Sequence, residues 1–211
     1  MSKYQFRESD IYLRGTDIPK NRLGISEADL LHEIEATLLQ QAYQIFIAEL
    51  QPATRFDEAY FKSLCQRTWA SLYRWAGEYR SVDMSKGGSL FCRAAVLETE
   101  SRHLFEQLEQ EDYLKQAADW PKKKVAERLA HYQWQLIALY PFLQVNGRIT
   151  WLFLDLIAIS NGYGPVDCSL AFGEADETNA YIEASIACVR RADNNLLRQI
   201  ILVALNRGEA P

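Results

Sequence analysis

The stretch most informative about the fold reads LYPFLQVNGR and runs from Leu139 to Arg148. Pro141 breaks one helical pattern, and Asn146 or Gly147 is suited to begin the next helix, so we predict a loop between two helices. The helix that this loop opens, Ile149 to Ser160, is apolar on almost every side. Because such a helix must be surrounded by others, we expect it at the centre of a helical bundle.

Amphipathic patterns predict further helices on both sides of the loop. Apolar residues from Val125 to Leu139 recur at alternating steps of four and three, which is typical of a helix with one buried face. Asp119 followed by Pro121 predicts the start of that helix, with Asp119 as its cap. The remaining helices are predicted over residues 26–50, 56–73, 94–114, 176–191 and 194–206.

A short β-hairpin is predicted between the second and third helices. The turn-forming run Ser85, Lys86, Gly87, Gly88 and Ser89 is flanked by apolar residues. With only 10 glycines and 6 prolines in 211 residues, an all-β fold with many tight turns is not expected. The sequence therefore predicts an all-α fold with one hairpin.

The chain is predicted to form an N-terminal arm over residues 1–20 and a single domain over residues 21–207. The arm contains Gly15 and Pro19 and lacks a steady hydrophobic period. Beyond it there is no internal repeat, low-complexity segment or linker that would suggest a second domain.

Charge and cysteine usage exclude several classes of protein. The net charge of −5, from 23 basic and 28 acidic residues, argues against a dedicated nucleic-acid binder. The longest strongly apolar stretch, Trp151 to Ile159, has about half the length of a membrane span. Four cysteines without close spacing indicate free thiols in a reducing cytosol and no metal site. We therefore expect a cytoplasmic protein.

Several segments together resemble the Fic family. The loop is similar to its signature, His-x-Phe-x-Asp/Glu-Gly-Asn-Gly-Arg-x-x-Arg. Leu72–Arg80 resembles the family's Trp-Ala-Gly-Glu-x-Arg segment, and Ser85–Phe91 resembles its flap hairpin; Asn21–Ile25 and Gly162–Asp167 also have counterparts. The resemblance extends over roughly residues 15 to 205. It implies a helical bundle around a central buried helix with a short β-hairpin flap, and transfer of AMP from ATP to a protein hydroxyl.

The signature itself is degenerate in this chain. Phe142, Asn146, Gly147 and Arg148 match it, and four other restricted positions differ. The resemblance places these as follows: Tyr140 stands at the catalytic histidine, Gln144 at the acidic Mg²⁺ ligand, Val145 at the first glycine and Trp151 at the second arginine.

These replacements remove the chemistry that AMP transfer needs. A tyrosine with a pKa near 10 is only about one part in a thousand ionised at pH 7, so Tyr140 is a poor general base. Gln144 offers Mg²⁺ a neutral oxygen, and Trp151 removes a charged phosphate clamp. ATP with Mg²⁺ is expected only if activity is retained. Tyr140 itself has two interpretations: a packed aromatic ring that fills the former active site, or a hydroxyl that binds or accepts a group.

Two segments of the family pattern that could bind a ligand or a protein are retained in this sequence. Asn146, Gly147 and Arg148 at a helix N-terminus are suited to bind phosphate or a nucleotide, the alternative being a capped helix with a surface arginine. Residues 85–89 of the flap are expected to dock a protein target by strand pairing, the alternative being a solvent-exposed hairpin. The family's inhibitory motif, Ser/Thr-x-x-x-Glu-Gly/Asn, is approached only at Thr54 and Glu58, before Ala59, so none is predicted.

The resemblance and its gaps lead to one main hypothesis. The chain is a degenerate Fic-family protein, a pseudoenzyme that acts as a protein-binding or regulatory module, with nucleotide binding left open. The expected setting is a bacterial toxin–antitoxin or effector system, where the partner would be a target protein or a Fic relative. The alternative is an active transferase that moves AMP or another phosphate-containing group by altered chemistry.

Overall fold

The computed structural model describes residues 11–86, 88–164 and 180–207. Gly87, Cys168, the first ten residues of the arm and residues 176–179 of the predicted sixth helix lie outside this part of the chain. Seven α-helices and one hairpin occur within it. They are α1 (Ala28–Glu49), α2 (Glu58–Trp69), β1 (Ser85–Lys86), β2 (Ser89–Leu90), α3 (Leu97–Gln110), α4 (Lys122–Leu139), α5 (Asn146–Ser160), α6 (Ala180–Arg191) and α7 (Asn195–Arg207).

Helix α5 is the centre of the bundle. Every side chain from Ile149 to Ala158 is buried, and the helix contacts α1, α2 and α4. An apolar surface on all sides of one helix is stable only when other helices cover it. The predicted all-α bundle around a central buried helix is therefore confirmed, and α5 begins at Asn146 as expected.

Three predicted helix boundaries were wrong. The predicted helix over residues 94–114 is α-helical only over Leu97–Gln110 and is flanked by short 3₁₀ turns at Ala94–Val96 and Asp112–Leu114. Helix α2 ends at Trp69 and does not reach Tyr73, because the chain folds back until Gly77, at φ +84°, lies against Gln66. Asp119 does not cap α4. It belongs to a short 3₁₀ turn, and Pro121, whose backbone is extended, is the flanking residue of the helix.

The predicted hairpin is also confirmed. Strands β1 and β2 pair antiparallel, with Ser85 opposite Leu90 and Lys86 opposite Ser89. Gly88 has a φ of +77°, which a glycine adopts without strain. Arg190 of α6 donates a hydrogen bond from its Nε to the Ser89 Oγ at 3.2 Å, so the hairpin is tied to α6.

The described part of the arm, residues 11–20, folds back on itself and packs on the hairpin. Tyr12 and Pro19 form an antiparallel bridge, and the Leu13 N–H donates to the Ile18 carbonyl at 2.8 Å. Ile11, Tyr12 and Met84 form a small buried cluster, separate from the main core. The division into arm and domain remains a prediction. No helix among the described residues is long and apolar enough to cross a membrane.

Candidate functional site

The loop between α4 and α5 is closed by the side chain of Asn146. Its Nδ2 donates to the Phe142 carbonyl at 2.7 Å, and its Oδ1 accepts the Phe142 N–H at 2.8 Å. Asn146 is 2% exposed. Because both ends of the amide bind the backbone of one residue, Asn146 contributes to the site by fixing the shape of the loop.

Arg80 holds the other end of the loop. Its buried guanidinium donates to the carbonyls of Tyr140 (2.7 Å) and Leu139 (3.0 Å) at the end of α4. It also donates to the carbonyls of Val82 (2.6 Å) and Cys92 (2.5 Å), which flank the hairpin. A cation is favourable at a helix C-terminus, where carbonyls lack partners. The sequence does not indicate this role, because the family segment identifies Arg80 without showing what it contacts.

Tyr140, at the position of the family histidine, is packed against the flap. Its backbone is left-handed (φ 46°, ψ 58°), and its half-buried ring stacks on Phe91 with centroids 3.9 Å apart. The pKa of the Tyr12 hydroxyl is raised by burial and next by the nearby Tyr140 hydroxyl. Tyr140 thus lies between the flap and the arm as a packed aromatic ring.

Gln144, at the position of the acidic metal ligand, is hydrogen-bonded to the arm. Its Nε2 donates to the Tyr12 hydroxyl at 2.7 Å. A neutral amide held in this way lacks the charge that a hard cation such as Mg²⁺ prefers. Among the described residues there is also no group of three or more histidine, cysteine or acidic side chains suited to a metal. The residues present do not fit the Mg²⁺ that the family signature implies.

Val145, at the position of the first glycine, is strained. Its φ is 60° and its ψ is 9°, a left-handed conformation that β-branched residues rarely adopt. Val145 precedes α5 and provides no side-chain cap. The Val145 side chain therefore satisfies none of the first N–H groups of α5.

Arg148 is paired inside the protein. Its Nη2 donates to the Glu35 Oε2 of α1 at 2.9 Å, and the Tyr73 hydroxyl donates to the Glu35 Oε1 at 2.6 Å. The Arg148 side chain is nevertheless 23% exposed. Nothing in the sequence pattern pointed to Glu35, which lies 113 residues before Arg148.

Trp151, at the position of the second arginine, is 2% exposed and lies against Tyr181 of α6, with ring centroids 5.3 Å apart. This indole occupies the interior where the family signature would provide a charge. Trp151 is therefore separated from the loop surface on which Arg148 lies.

Two cavities remain beside the loop, and Tyr140, Asn146 and Gly147 line both. The loop cavity, of about 390 Å³, has a mixed polar and apolar lining and faces the arm and α1; its other lining residues include Tyr12, Asp17, His32, Glu35, Gln144 and Arg148. The flap cavity, of about 340 Å³, is mainly apolar and faces β2 and α6; its other lining residues include Ser89, Phe91, Ile137, Ile182 and Ile186.

The structure thus brings Tyr140, Gln144, Val145, Asn146, Gly147 and Arg148 together, with Ser89 of the flap nearby and Trp151 beneath. Ligand binding by these residues stays a prediction. Ser85 and Gly88 lie in the described hairpin, and the backbone of Lys86 belongs to β1.

Comparison with known proteins supports the same family. The model of the Fic/DOC family matches residues 55–158. The chain is 34% identical over 151 residues to "Probable protein adenylyltransferase Fic" of Escherichia coli K12, across 71% of this chain and 72% of that protein.

Solved structures share the fold. BepC, a VirB-translocated effector protein from Bartonella tribocorum with bound AMPPNP, superposes with a TM-score of 0.77 at 20% identity, over 92% of this chain and 95% of that chain. The N-terminal Fic domain of a Bep effector protein from Bartonella quintana with bound ADP gives 0.78 at 20% identity, over 92% and 93%. With its signature loop at the start of a buried central helix, and with these relatives, the chain belongs to the Fic/DOC family.

Proposed function

We propose that this chain is a Fic-family pseudoenzyme that acts as a protein-binding or regulatory module in a bacterial toxin–antitoxin or effector system. One observation carries the proposal. Three signature positions hold side chains that differ from those the family uses in catalysis, and each of them packs against or hydrogen-bonds to other parts of this chain. Tyr140 stacks on Phe91, Gln144 bonds Tyr12 and Trp151 is buried. An effector setting is supported by the structural relatives from Bartonella, which are VirB-translocated effector proteins.

Loss of AMP transfer follows from the chemistry of these positions. General-base catalysis needs a group that accepts a proton near pH 7, and a phenol is a poor choice. A neutral amide cannot replace the carboxylate that binds Mg²⁺, and a buried indole cannot replace a guanidinium in neutralising the charge of a reacting phosphate.

The activity test is incubation with labelled ATP, Mg²⁺ and a bacterial lysate. We expect no labelled protein above background, whereas a Fic protein with an intact signature in the same lysate labels its target. Robust Mg²⁺-dependent labelling by this chain would contradict the proposal.

Protein binding is assigned to the flap. Leu90 of β2 is 79% exposed, although it is a large apolar side chain on a two-stranded hairpin. A short exposed strand can pair with an extended segment of a partner, and an apolar side chain beside it adds buried area. An active Fic relative is the partner that we put forward.

The binding test compares two exposed leucines. Leu90→Asp should abolish co-purification of the Fic relative, whereas Leu23→Asp, at a leucine that is 59% exposed and lies outside the flap, should leave it unchanged. Equal binding by both variants would contradict the assignment of protein binding to the flap.

A second candidate function is supported by the loop cavity. The uncapped N-terminus of α5 and Arg148 both border it, and such a helix end suits a phosphate group. The structural relatives with AMPPNP and ADP point to nucleotides as the class of ligand. On this view the chain is a transferase of altered chemistry that moves AMP or another phosphate-containing group.

Calorimetry against a panel of nucleotides and other phosphate donors tests this second candidate. Binding of at least one ligand, lost in Arg148→Ala, would support it, and absence of binding to all of them would contradict it. If the chain is a protein-binding scaffold alone, Arg148→Ala keeps all of its partner binding.

A further inference from the structure

The flap cavity is bordered on one side by exposed apolar side chains of α6. Ile182 is 50% exposed and Ile186 is 41% exposed, and both line the cavity. They are four positions apart and therefore lie on one face of the helix. Two large aliphatic side chains that remain in water beside an apolar cavity form a surface suited to an apolar group.

The two faces of the flap have different surroundings. Neighbouring side chains of a strand point to opposite faces. Ser89 is only 5% exposed and lines the flap cavity, as Phe91 does, whereas Leu90 between them is 79% exposed. Leu90 therefore lies on the outer face of the flap, and the cavity lies under the inner face.

A partner segment that pairs with the flap has the same alternation of side chains. Among the described residues β1 and β2 pair only with each other, so this sheet retains an edge at which a third strand can pair. When one side chain of that third strand lies beside Leu90, the next lies on the inner face, above the cavity. The cavity, of about 340 Å³, is at the lower end of the roughly 300–1,000 Å³ range of ligand pockets, so it suits a single large side chain.

A positive charge stands at the flap end of this surface. Arg190 donates from its Nε to the Ser89 Oγ at 3.2 Å, and its Nη2 lies 2.8 Å from the position that a Cβ on Gly88 would take. The guanidinium is thus held beside the turn of the hairpin. Glu183, in the first turn of α6, is seven residues from Arg190, which is about 10 Å along the helix axis. A carboxylate of the partner near the flap would therefore be attracted to Arg190.

We infer that the flap cavity binds a large aliphatic side chain of an extended partner segment, and that a carboxylate beside this side chain lies at Arg190. The inference rests on the proposed function, because the segment belongs to the protein that docks on the flap. It adds the chemical pattern of that segment. Two adjacent residues are apolar, one for Leu90 and one for the cavity, and an acidic residue flanks them.

The ligand chemistry is tested with N-acetyl-leucine, which carries an aliphatic side chain and a carboxylate on one small molecule. In methyl NMR spectra we expect saturable shifts of the Ile182 and Ile186 signals, and none for Ile45 of α1, which is also 50% exposed. N-acetyl-alanine, whose side chain is three carbons smaller, should bind at least about tenfold more weakly. The uncharged N-acetyl-leucinamide should bind about threefold more weakly, and added salt should remove that difference.

A variant that fills the cavity tests the same inference in the binding experiment with the Fic relative. Ser185 lines the cavity, and its hydroxyl donates to the Tyr181 carbonyl of its own helix at 2.8 Å. Ser185→Phe should abolish both the shifts caused by N-acetyl-leucine and co-purification of the relative. The matched control is Ser63→Phe in α2, where the hydroxyl also donates to a carbonyl of its own helix, at 2.7 Å, and it should change neither result.

Absence of shifts at Ile182 and Ile186 would overturn the inference. Shifts of these signals by adenosine but not by N-acetyl-leucine would also overturn it, and would assign the cavity to a nucleoside. If Ser185→Phe does not fold, Ile186→Ser is tested in its place, and unchanged binding of N-acetyl-leucine by that variant has the same meaning.

The outcomes also separate this inference from the proposed function. If Leu90→Asp abolishes co-purification of the Fic relative while Ser185→Phe retains it, docking on the flap stands and the role of the cavity fails. If N-acetyl-leucine shifts the signals but no Fic relative co-purifies with the natural chain, the class of side chain is supported and the choice of partner fails.

Discussion

Phe91 and Tyr140 are stacked face to face, with ring planes inclined by only 10° and centroids 3.9 Å apart. This contact joins the end of the flap to the end of α4. Aromatic pairs contribute about 0.5–1.5 kcal/mol beyond their buried area, so the stack stabilises the flap in its position over the loop. The residue at the family's catalytic position thus has a packing role in this chain.

Restoring the histidine alone should not restore AMP transfer. Tyr140→His supplies a base, but Gln144 still bonds Tyr12 and Trp151 is still buried, so the metal ligand and the phosphate clamp stay absent. Labelled ATP with Mg²⁺ and a lysate is the assay. Tyr140→Phe, which keeps the stack, is the control for flap position, and strong labelling by Tyr140→His would refute the argument.

Val145 offers a test of backbone strain. At φ 60° a side chain with a Cβ is disfavoured, so Val145→Gly should be more stable than Val145→Ala by about 1 kcal/mol, although both remove the buried side chain. In an ordinary helix the order of glycine and alanine is the reverse. Urea denaturation of the two variants measures the difference, and alanine as the more stable residue would contradict the left-handed conformation.

Replacement of Arg80 even by lysine should lower the stability of the fold. Its guanidinium reaches four carbonyls at once, and an ammonium on a flexible stem cannot reproduce that geometry. Arg80→Lys should destabilise the chain by about 3 kcal/mol, because buried carbonyls lose their donors. The control is Arg67→Lys, in an exposed pair, with an expected loss of less than about 1 kcal/mol in the same denaturation experiment.

His131 should make stability fall in mild acid. Burial, and next the nearby Arg128, lower the pKa of His131 below its usual value near 6.5. The unfolded chain then binds more protons than the folded chain once the pH falls below about 6.5, so the free energy of unfolding decreases there. Denaturation at about pH 7.5 and about pH 5.5 measures the slope. His131→Gln should reduce it, and an unchanged slope in this variant would contradict the prediction.

The main features of the fold could be predicted because they depend on local patterns. The apolar surface of Ile149–Ser160 required a central helix, and the Ser-Lys-Gly-Gly-Ser turn required a hairpin. The end of α2 could not be predicted, because residues 70–73 continue its apolar pattern while the turn around Gly77 redirects the chain. Local patterns do not contain the packing that decides between these outcomes.

The sequence predicted which residues form the candidate site, but not which residues they contact. The signature located Tyr140, Gln144 and Arg148, yet Phe91, Tyr12 and Glu35 were not foreseen as their contacts. Arg148 and Glu35 meet only because α1 packs on α5, and Tyr12 reaches Gln144 from the arm, 132 residues away. Side chains brought together by tertiary packing leave no periodic signal in the sequence.

The paired hydrogen bonds between Asn146 and Phe142, together with Arg80, hold the loop with groups that take no part in proton transfer or metal binding. The architecture of the loop is therefore independent of its reactivity. A chain of this family can exchange the residues at positions 140, 144 and 151 and still present the same scaffold to a partner.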